Sequence, residues 1–143
     1  MSRRNRSAAR RSRAPWIVAA LAGLTLLLVV AVERRKPGHV HPQPRTEVDL
    51  AYTVMPPSFF ASDARVRGVY QIAQRISVVL DGIYCYCRCH ETIGHRSLFQ
   101  CFQSQHGAGC DICLAQAVLA YRMNGEGSTL NQIRAAMDAT YGP

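Results

Sequence analysis

Acidic residues are absent from the first 32 positions, and lysine is absent after Lys36. Both gaps bear on the net charge of +8. Six arginines (Arg3, Arg4, Arg6, Arg10, Arg11 and Arg13) stand before an apolar run, and Arg34, Arg35 and Lys36 follow it. Beyond Pro37, eight arginines meet eight aspartates and glutamates, so that region is formally neutral. Nucleic-acid-binding domains carry their positive charge on the folded surface. Here it flanks an apolar run instead, and no nucleic-acid partner is expected. A Ser-His-Asp set, a paired-carboxylate site and a phosphate-cradling glycine loop are all missing, which argues against turnover of an organic substrate. Internal repeats are missing too. No cysteine precedes Cys85, which excludes a lipid-modified cysteine just after the apolar run.

That run, Trp16 to Val32, reads WIVAALAGLTLLLVVAV and has Thr25 as its only polar interruption. Its 17 residues span about 25 Å at helical rise, at the short end of what crosses a bilayer. The basic segment 1–15 is expected to stay cytoplasmic under the positive-inside rule, leaving the rest of the chain outside. A cleavable signal sequence shares the basic start and apolar middle. However, the run ends Ala31-Val32-Glu33-Arg34-Arg35, without an A-x-A site and with positive charge where cleavage falls. Residues 16–32 are therefore expected as a membrane anchor in preference to a cleaved signal.

Residues 33–61 read as a proline-rich linker, because Pro37, Pro42, Pro44, Pro56 and Pro57 block helix and remove backbone donors. His39 and His41 lie in it and are expected as solvated residues, not ligands. Ordered structure is expected over 62–143, a small and mainly α-helical domain wrapped around a Cys/His-rich loop. Ser62-Asp63 offers a helix N-cap. Val66, Val69, Tyr70, Ala73, Ile76 and Leu80 then recur at helical spacing up to Asp81-Gly82. Tyr84 to Asp111 lacks that period and reads as loop, with a short helix around Ser97 to Phe102. A second helix fits Ile112 to Met123, with Ile112, Ala115, Val118, Leu119 and Met123 inward and Asn124-Gly125 as its end. A last helix, capped by Ser128 or Thr129, runs to about Ala139 with Leu130, Ile133, Ala136 and Met137 inward. Domains this small often need a covalent or metal staple.

All six cysteines lie in the loop region: Cys85-Tyr86-Cys87-Arg88-Cys89-His90, then His95, Cys101, His106 and Cys110-Asp111-Ile112-Cys113. In extended backbone, residues i, i+2 and i+4 face one side. Cys85, Cys87 and Cys89 can thereby present three sulfurs to one point, with Tyr86 packed and Arg88 solvent-exposed on the other side. Cys110 and Cys113 form a C-x-x-C pair at a helix start, where free N–H groups favour thiolate. His106, next to Gly107, is the first histidine candidate as a ligand and His95 the second. His90 is expected to point away from the sulfurs, and Phe99 and Phe102 to be core.

Three readings of the cluster stay open. Six sulfurs with nearby imidazoles suit a soft metal, copper(I) ahead of zinc(II), held by Cys85, Cys87, Cys89, Cys101, Cys110, Cys113, His106 and His95. An even cysteine count outside the cytoplasm is also the mark of a disulfide framework, although three cysteines separated by single residues are awkward to pair with distant partners. Thiol–disulfide exchange at the C-x-x-C is the third, without the strand-rich surroundings of thioredoxin-like proteins. The metal reading is preferred, with sequestration or delivery as the role.

The ordered string Tyr84-Cys85-Tyr86-Cys87-Arg88-Cys89, Gly94-His95-Arg96-Ser97-Leu98, Cys101-Phe102 and His106-Gly107-Ala108-Gly109-Cys110-Asp111-Ile112-Cys113 resembles the PCYCGC-motif family of bacterial envelope proteins. The resemblance covers roughly residues 62–140. Tyr84 replaces the family proline and Arg88 the glycine before the third cysteine. It implies a cell-envelope location, and matches the six cysteines with His95 and His106 to motif positions. Many relatives look like lipoproteins, whereas this chain is expected to use a helix anchor instead. Selenocysteine in the similar CYCxC group keeps redox chemistry in view.

Overall fold

The computed structural model describes residues 17–25, 39–46 and 49–142. The chain divides into two units, Met1–Pro37 and Gly38–Pro143. In the first, residues 17–25 are helical, with the apolar side chains of Ile17, Val18, Leu21 and Leu24 exposed. Among the described residues no helix is long and apolar enough to cross a membrane. The basic segment 1–15 and the remainder of the expected anchor lie outside the described residues.

The second unit is mainly helical, with no strand among its described residues. Its α-helices are α1 (Ala64–Arg75), α2 (Ser77–Asp81), α3 (Cys89–Ile93), α4 (Asp111–Gly125) and α5 (Leu130–Tyr141). Four 3-10 turns join them: Leu50–Thr53, Pro57–Phe60, Leu98–Phe102 and Gln105–Gly109.

Asp63 caps α1, accepting from the Val66 N–H at 3.0 Å. The expected stripe of Val66, Val69, Tyr70, Ala73, Ile76 and Leu80 is buried. The single helix expected over 62–82 is broken at Ile76 (φ −122, ψ 32) into α1 and α2. The apolar period continues through the break, so the pattern carries no sign of it. At the other end Thr129 and Gln132 form a reciprocal capping box that starts α5, and Ile133 and Met137 face the core.

α4 corrects two expectations. It runs past Met123 to Gly125, and its buried residues are Cys113, Leu114, Gln116, Ala117 and Ala120. Ile112 and Val118, expected inward, are 43% and 46% exposed. Apolar residues occur all round this helix, so periodicity alone does not choose a face. Packing on the cysteine loop chooses it.

Residues 39–46 and 49–60, expected as linker, pack on the domain. Leu50 and Val54 are buried, and the Phe60 ring lies 4.3 Å from that of Tyr70. Residues 39–46, without regular secondary structure, form a strap held by side chains. The His39 ring stacks on Tyr84 at 4.4 Å, and the His39 backbone N–H donates to Asp138 Oδ1 at 3.0 Å. Arg134 donates to the Pro42 carbonyl at 2.6 Å and Arg96 to that of Gln43. Proline forbids helix here but leaves carbonyls free to accept from arginines.

The strap's anchor is Asp81, a carboxylate with no solvent exposure. It accepts from the Arg45 backbone N–H at 2.9 Å and from Arg45 Nη2 at 2.9 Å, from Arg96 Nη1 at 2.9 Å and from Ser97 Oγ at 2.8 Å. Burial works to raise its pKa, but these bonds prevail and hold it down to about 2. One residue on the inward face of α2 therefore ties strap and loop together.

Candidate metal centre

The cysteine loop leaves α2 at Gly82. The Ile83 carbonyl accepts from Leu98 N–H at 2.8 Å, closing the loop on the Leu98–Phe102 turn. The backbone turns over Tyr86–Arg88 and enters α3 at Cys89. The sulfurs are thus not gathered by an extended ribbon, as alternation led one to expect. Arg88 does it instead, with φ 64 and ψ 21 in the left-handed region that favours glycine. Its side chain is exposed and pairs with Glu91 at 2.6 Å. Gly94, also left-handed at φ 73, ends α3, and His95 N–H returns to the Cys89 carbonyl at 3.1 Å.

Five sulfurs converge. The donor atoms of Cys85, Cys87, Cys89, Cys101 and Cys113 lie within 4.8 Å of one another. Cys85 Sγ is 3.1 Å from Cys87, 3.3 Å from Cys101 and 3.7 Å from Cys113. Cys87 Sγ is 2.6 Å from Cys89 and 3.3 Å from Cys113, and Cys89 is 3.9 Å from Cys101. No disulfide joins any of the six cysteines in this structure. A bridged pair has its sulfurs about 2.05 Å apart. Two sulfurs on one tetrahedral ion, each at about 2.3 Å, stand about 3.8 Å apart. The 3.7 and 3.9 Å separations match the second figure and the other four fall between the two, and the cluster is compatible with a metal ion.

Two imidazoles sit at its mouth. His106 Nε2 lies 2.9 Å from Cys89 Sγ and His95 Nδ1 3.4 Å from Cys101 Sγ. Together with Cys89 and Cys101 they form a second group of donors within 4.8 Å. His106 is exposed and His95 half-buried, whereas Cys85 and Cys113 are buried at 1% and 0% exposure. The floor is sulfur and the rim is imidazole. Gly107 makes the approach of the His106 turn feasible: a Cβ there meets the Cys101 carbonyl oxygen at 2.7 Å.

Proton affinities differ sharply within the cluster. Bonds from the Cys101 and Cys113 thiols draw Cys85 well below the usual thiol range, against its burial. Cys113 is pushed up by its bonds with Cys101 and Cys85 and by burial; Cys87 is pushed up chiefly by burial. One thiolate on Cys85, cradled by protonated neighbours, is the arrangement this favours. Burial, and then the electrostatic influence of the neighbouring His106 ring, lower the His95 pKa.

Of the expected ligands, the structure gathers Cys85, Cys87, Cys89, Cys101, Cys113, His95 and His106 into these two overlapping groups. Cys110 joins neither. It is the N-cap of α4 with extended backbone (φ −125, ψ 103), outside the helical period that turns Cys113 inward. His90 is exposed and reaches the His95 carbonyl, and Phe99 and Phe102 are core, as expected.

The opposite face of the loop was not legible in advance. His41 Nδ1 accepts from Tyr84 N–H at 3.1 Å, and its Nε2 lies 3.4 Å from Asp138 Oδ2. Tyr86 donates to Asp138 Oδ1 at 2.5 Å. Burial, and then this carboxylate, push the Tyr86 phenol far up. The only available signal was Tyr84 and Tyr86 alternating with the cysteines.

The family described as a protein of unknown function with PCYCGC motif matches residues 39–143. No curated protein matches the chain, and no solved structure does. The match spans the strap, the cysteine loop and all five α-helices of the second unit. The glycine in the motif's fifth position corresponds to Arg88, the residue this loop holds in left-handed backbone. The chain belongs to the PCYCGC-motif family.

Proposed function

We propose that this protein binds a soft metal ion through its clustered thiolates, copper(I) ahead of zinc(II), to sequester or hand on the ion outside the cytoplasm. The observation that carries the reading is the convergence of five sulfurs within 4.8 Å. Gathering five thiols has no use in a plain core, where Ala or Val packs as well without a titratable group. Sulfur-rich donor sets favour soft ions, which places Cu(I) first. Cys85, Cys87, Cys89, Cys101 and Cys113 are the proposed sulfur ligands, with His95 and His106 at the entrance. Thiols must lose protons to ligate, and Cys85 is the one already disposed to do so. The arginine-flanked apolar run 16–32 supports a tether that leaves the domain on the outer side of the cytoplasmic membrane.

The test is an anaerobic titration of the reduced full chain with Cu(I) and Zn(II). Stoichiometric uptake, protection of cysteines from alkylation and a higher melting temperature are expected. Refusal of both metals by fully reduced protein refutes the proposal.

One observation favours a second reading, thiol redox chemistry. The closest sulfurs are Cys87 and Cys89, at 2.6 Å. Under that reading a mild oxidant links these two, not Cys110 with Cys113, and peptide mapping identifies the pair.

A further inference from the structure

The two donor groups overlap without merging. Cys89 and Cys101 belong to both, yet neither imidazole joins the group that contains Cys85, Cys87 and Cys113. The distinction is also one of depth, from the fully buried Cys113 to the exposed His106. Each imidazole rests against a different shared sulfur, His106 on Cys89 and His95 on Cys101. The two rings meet edge to face with centroids 5.2 Å apart. Four atoms, two nitrogens and two sulfurs, therefore frame one space, and the remaining sulfurs frame another behind it.

One ion does not use this set. A zinc site takes about four ligands, and seven donors converge here. Five thiolates around one cation also leave excess negative charge in a buried place, which is costly unless a further cation offsets it. Thiolate sulfur has lone pairs enough to bind two metals at once, and the shared residues stand between the two spaces.

We propose that the protein holds two soft metal ions side by side: an inner one on Cys85, Cys87 and Cys113 and an outer one on His95 and His106, with the thiolates of Cys89 and Cys101 between them, one of which bridges so that each ion takes four donors. This rests on the metal-binding reading and deepens it. The inner ion is retained, and the outer one, reached through the exposed His106, is the one exchanged with a partner or chelator.

The experiment counts ions on the full chain, purified in detergent and reduced, by native mass spectrometry during titration with chelator-buffered Cu(I), and in parallel with Zn(II). Two ions per chain with either metal are expected. The His95→Ala/His106→Ala double variant is expected to fall to one, retaining the tighter-held ion. His106→Cys alone keeps two, which shows that a donor and not a fold was lost. X-ray absorption on the copper-loaded protein adds an independent readout. A metal–metal scattering shell is expected in the parent and absent from the double variant. A parent that stops at one ion overturns the two-ion arrangement while leaving single-ion binding standing. Two ions that persist in the double variant overturn the assignment of the outer one. No uptake of either metal overturns both this inference and the function it rests on.

Discussion

Two pairs of histidines of identical chemistry sit on opposite faces of the cysteine loop. His39 and His41 belong to the strap, while His95 and His106 border the sulfurs. Both ring nitrogens of His41 are engaged: Nδ1 accepts from Tyr84 N–H, so Nε2 carries the proton and faces Asp138. No lone pair is left for a metal. Burial, its largest influence, lowers the His41 pKa and keeps the ring neutral in that brace. His106 presents Nε2 to a sulfur and is open to solvent. The partner atoms, not the residue type, separate a brace from a candidate ligand. Proximity in sequence is no guide either, since His90 directly follows Cys89 and turns outward.

This contrast predicts that strap and rim fail differently. The largest effect is expected from Asp81→Ala, which removes the strap's anchor and leaves Arg45 and Arg96 without their buried partner. A loss of about 3 kcal/mol in unfolding free energy is expected, read by denaturant titration. The same carboxylate gives an acid signature. Its folded pKa, about 2, lies below the ordinary 3.8. Its contribution, roughly 2 kcal/mol, is therefore complete above that ordinary value and fades as pH falls towards 2. Asp81→Asn is expected to flatten the melting temperature profile over that interval.

Next in size, His106→Ala is expected to weaken Cu(I) binding by at least about 100-fold, since losing a residue that only supports a metal ligand already costs up to about that much. The metal-free melting temperature is expected to stay unchanged, because the ring is exposed. Competition with a colorimetric chelator reads the first quantity and a thermal scan the second. His41→Ala is expected to do the reverse, costing about 1 kcal/mol of stability by stripping the acceptor from Tyr84 N–H, with the bound metal count unaltered. If His41→Ala abolishes metal uptake and His106→Ala unfolds the domain, the contrast is wrong. The smallest effect belongs to Cys110→Ser, which is expected to leave both uptake and stability as they are.

Much of the fold was readable because helices leave a period. The α1 stripe, the Asp63 cap and the α5 capping box all follow from local residue order. The break at Ile76 and the inward face of α4 were not readable, since the apolar pattern is continuous through the first and nearly uniform around the second. The strap was missed for a different reason. Its prolines exclude helix but do not exclude packing, and its partners Asp81, Arg96, Arg134 and Asp138 are far away in sequence. For the site, cysteine and histidine spacing marked the region without selecting its members. Cys113 and Cys110 looked equivalent, and only the helix boundary between them distinguishes the two.

The sequence by itself determined which side chains are available: a cysteine-rich loop between helices, an arginine-flanked apolar run and a formally neutral remainder. Those are properties of composition and near-neighbour spacing. Tertiary structure decided which of six sulfurs converge and which histidines border them. It also made a proline-rich stretch part of the domain. These outcomes depend on the left-handed turn at Arg88, the close passage of Gly107 over Cys101 and a buried carboxylate shared by two arginines. All three bring together groups that are distant along the chain, and no local pattern encodes that.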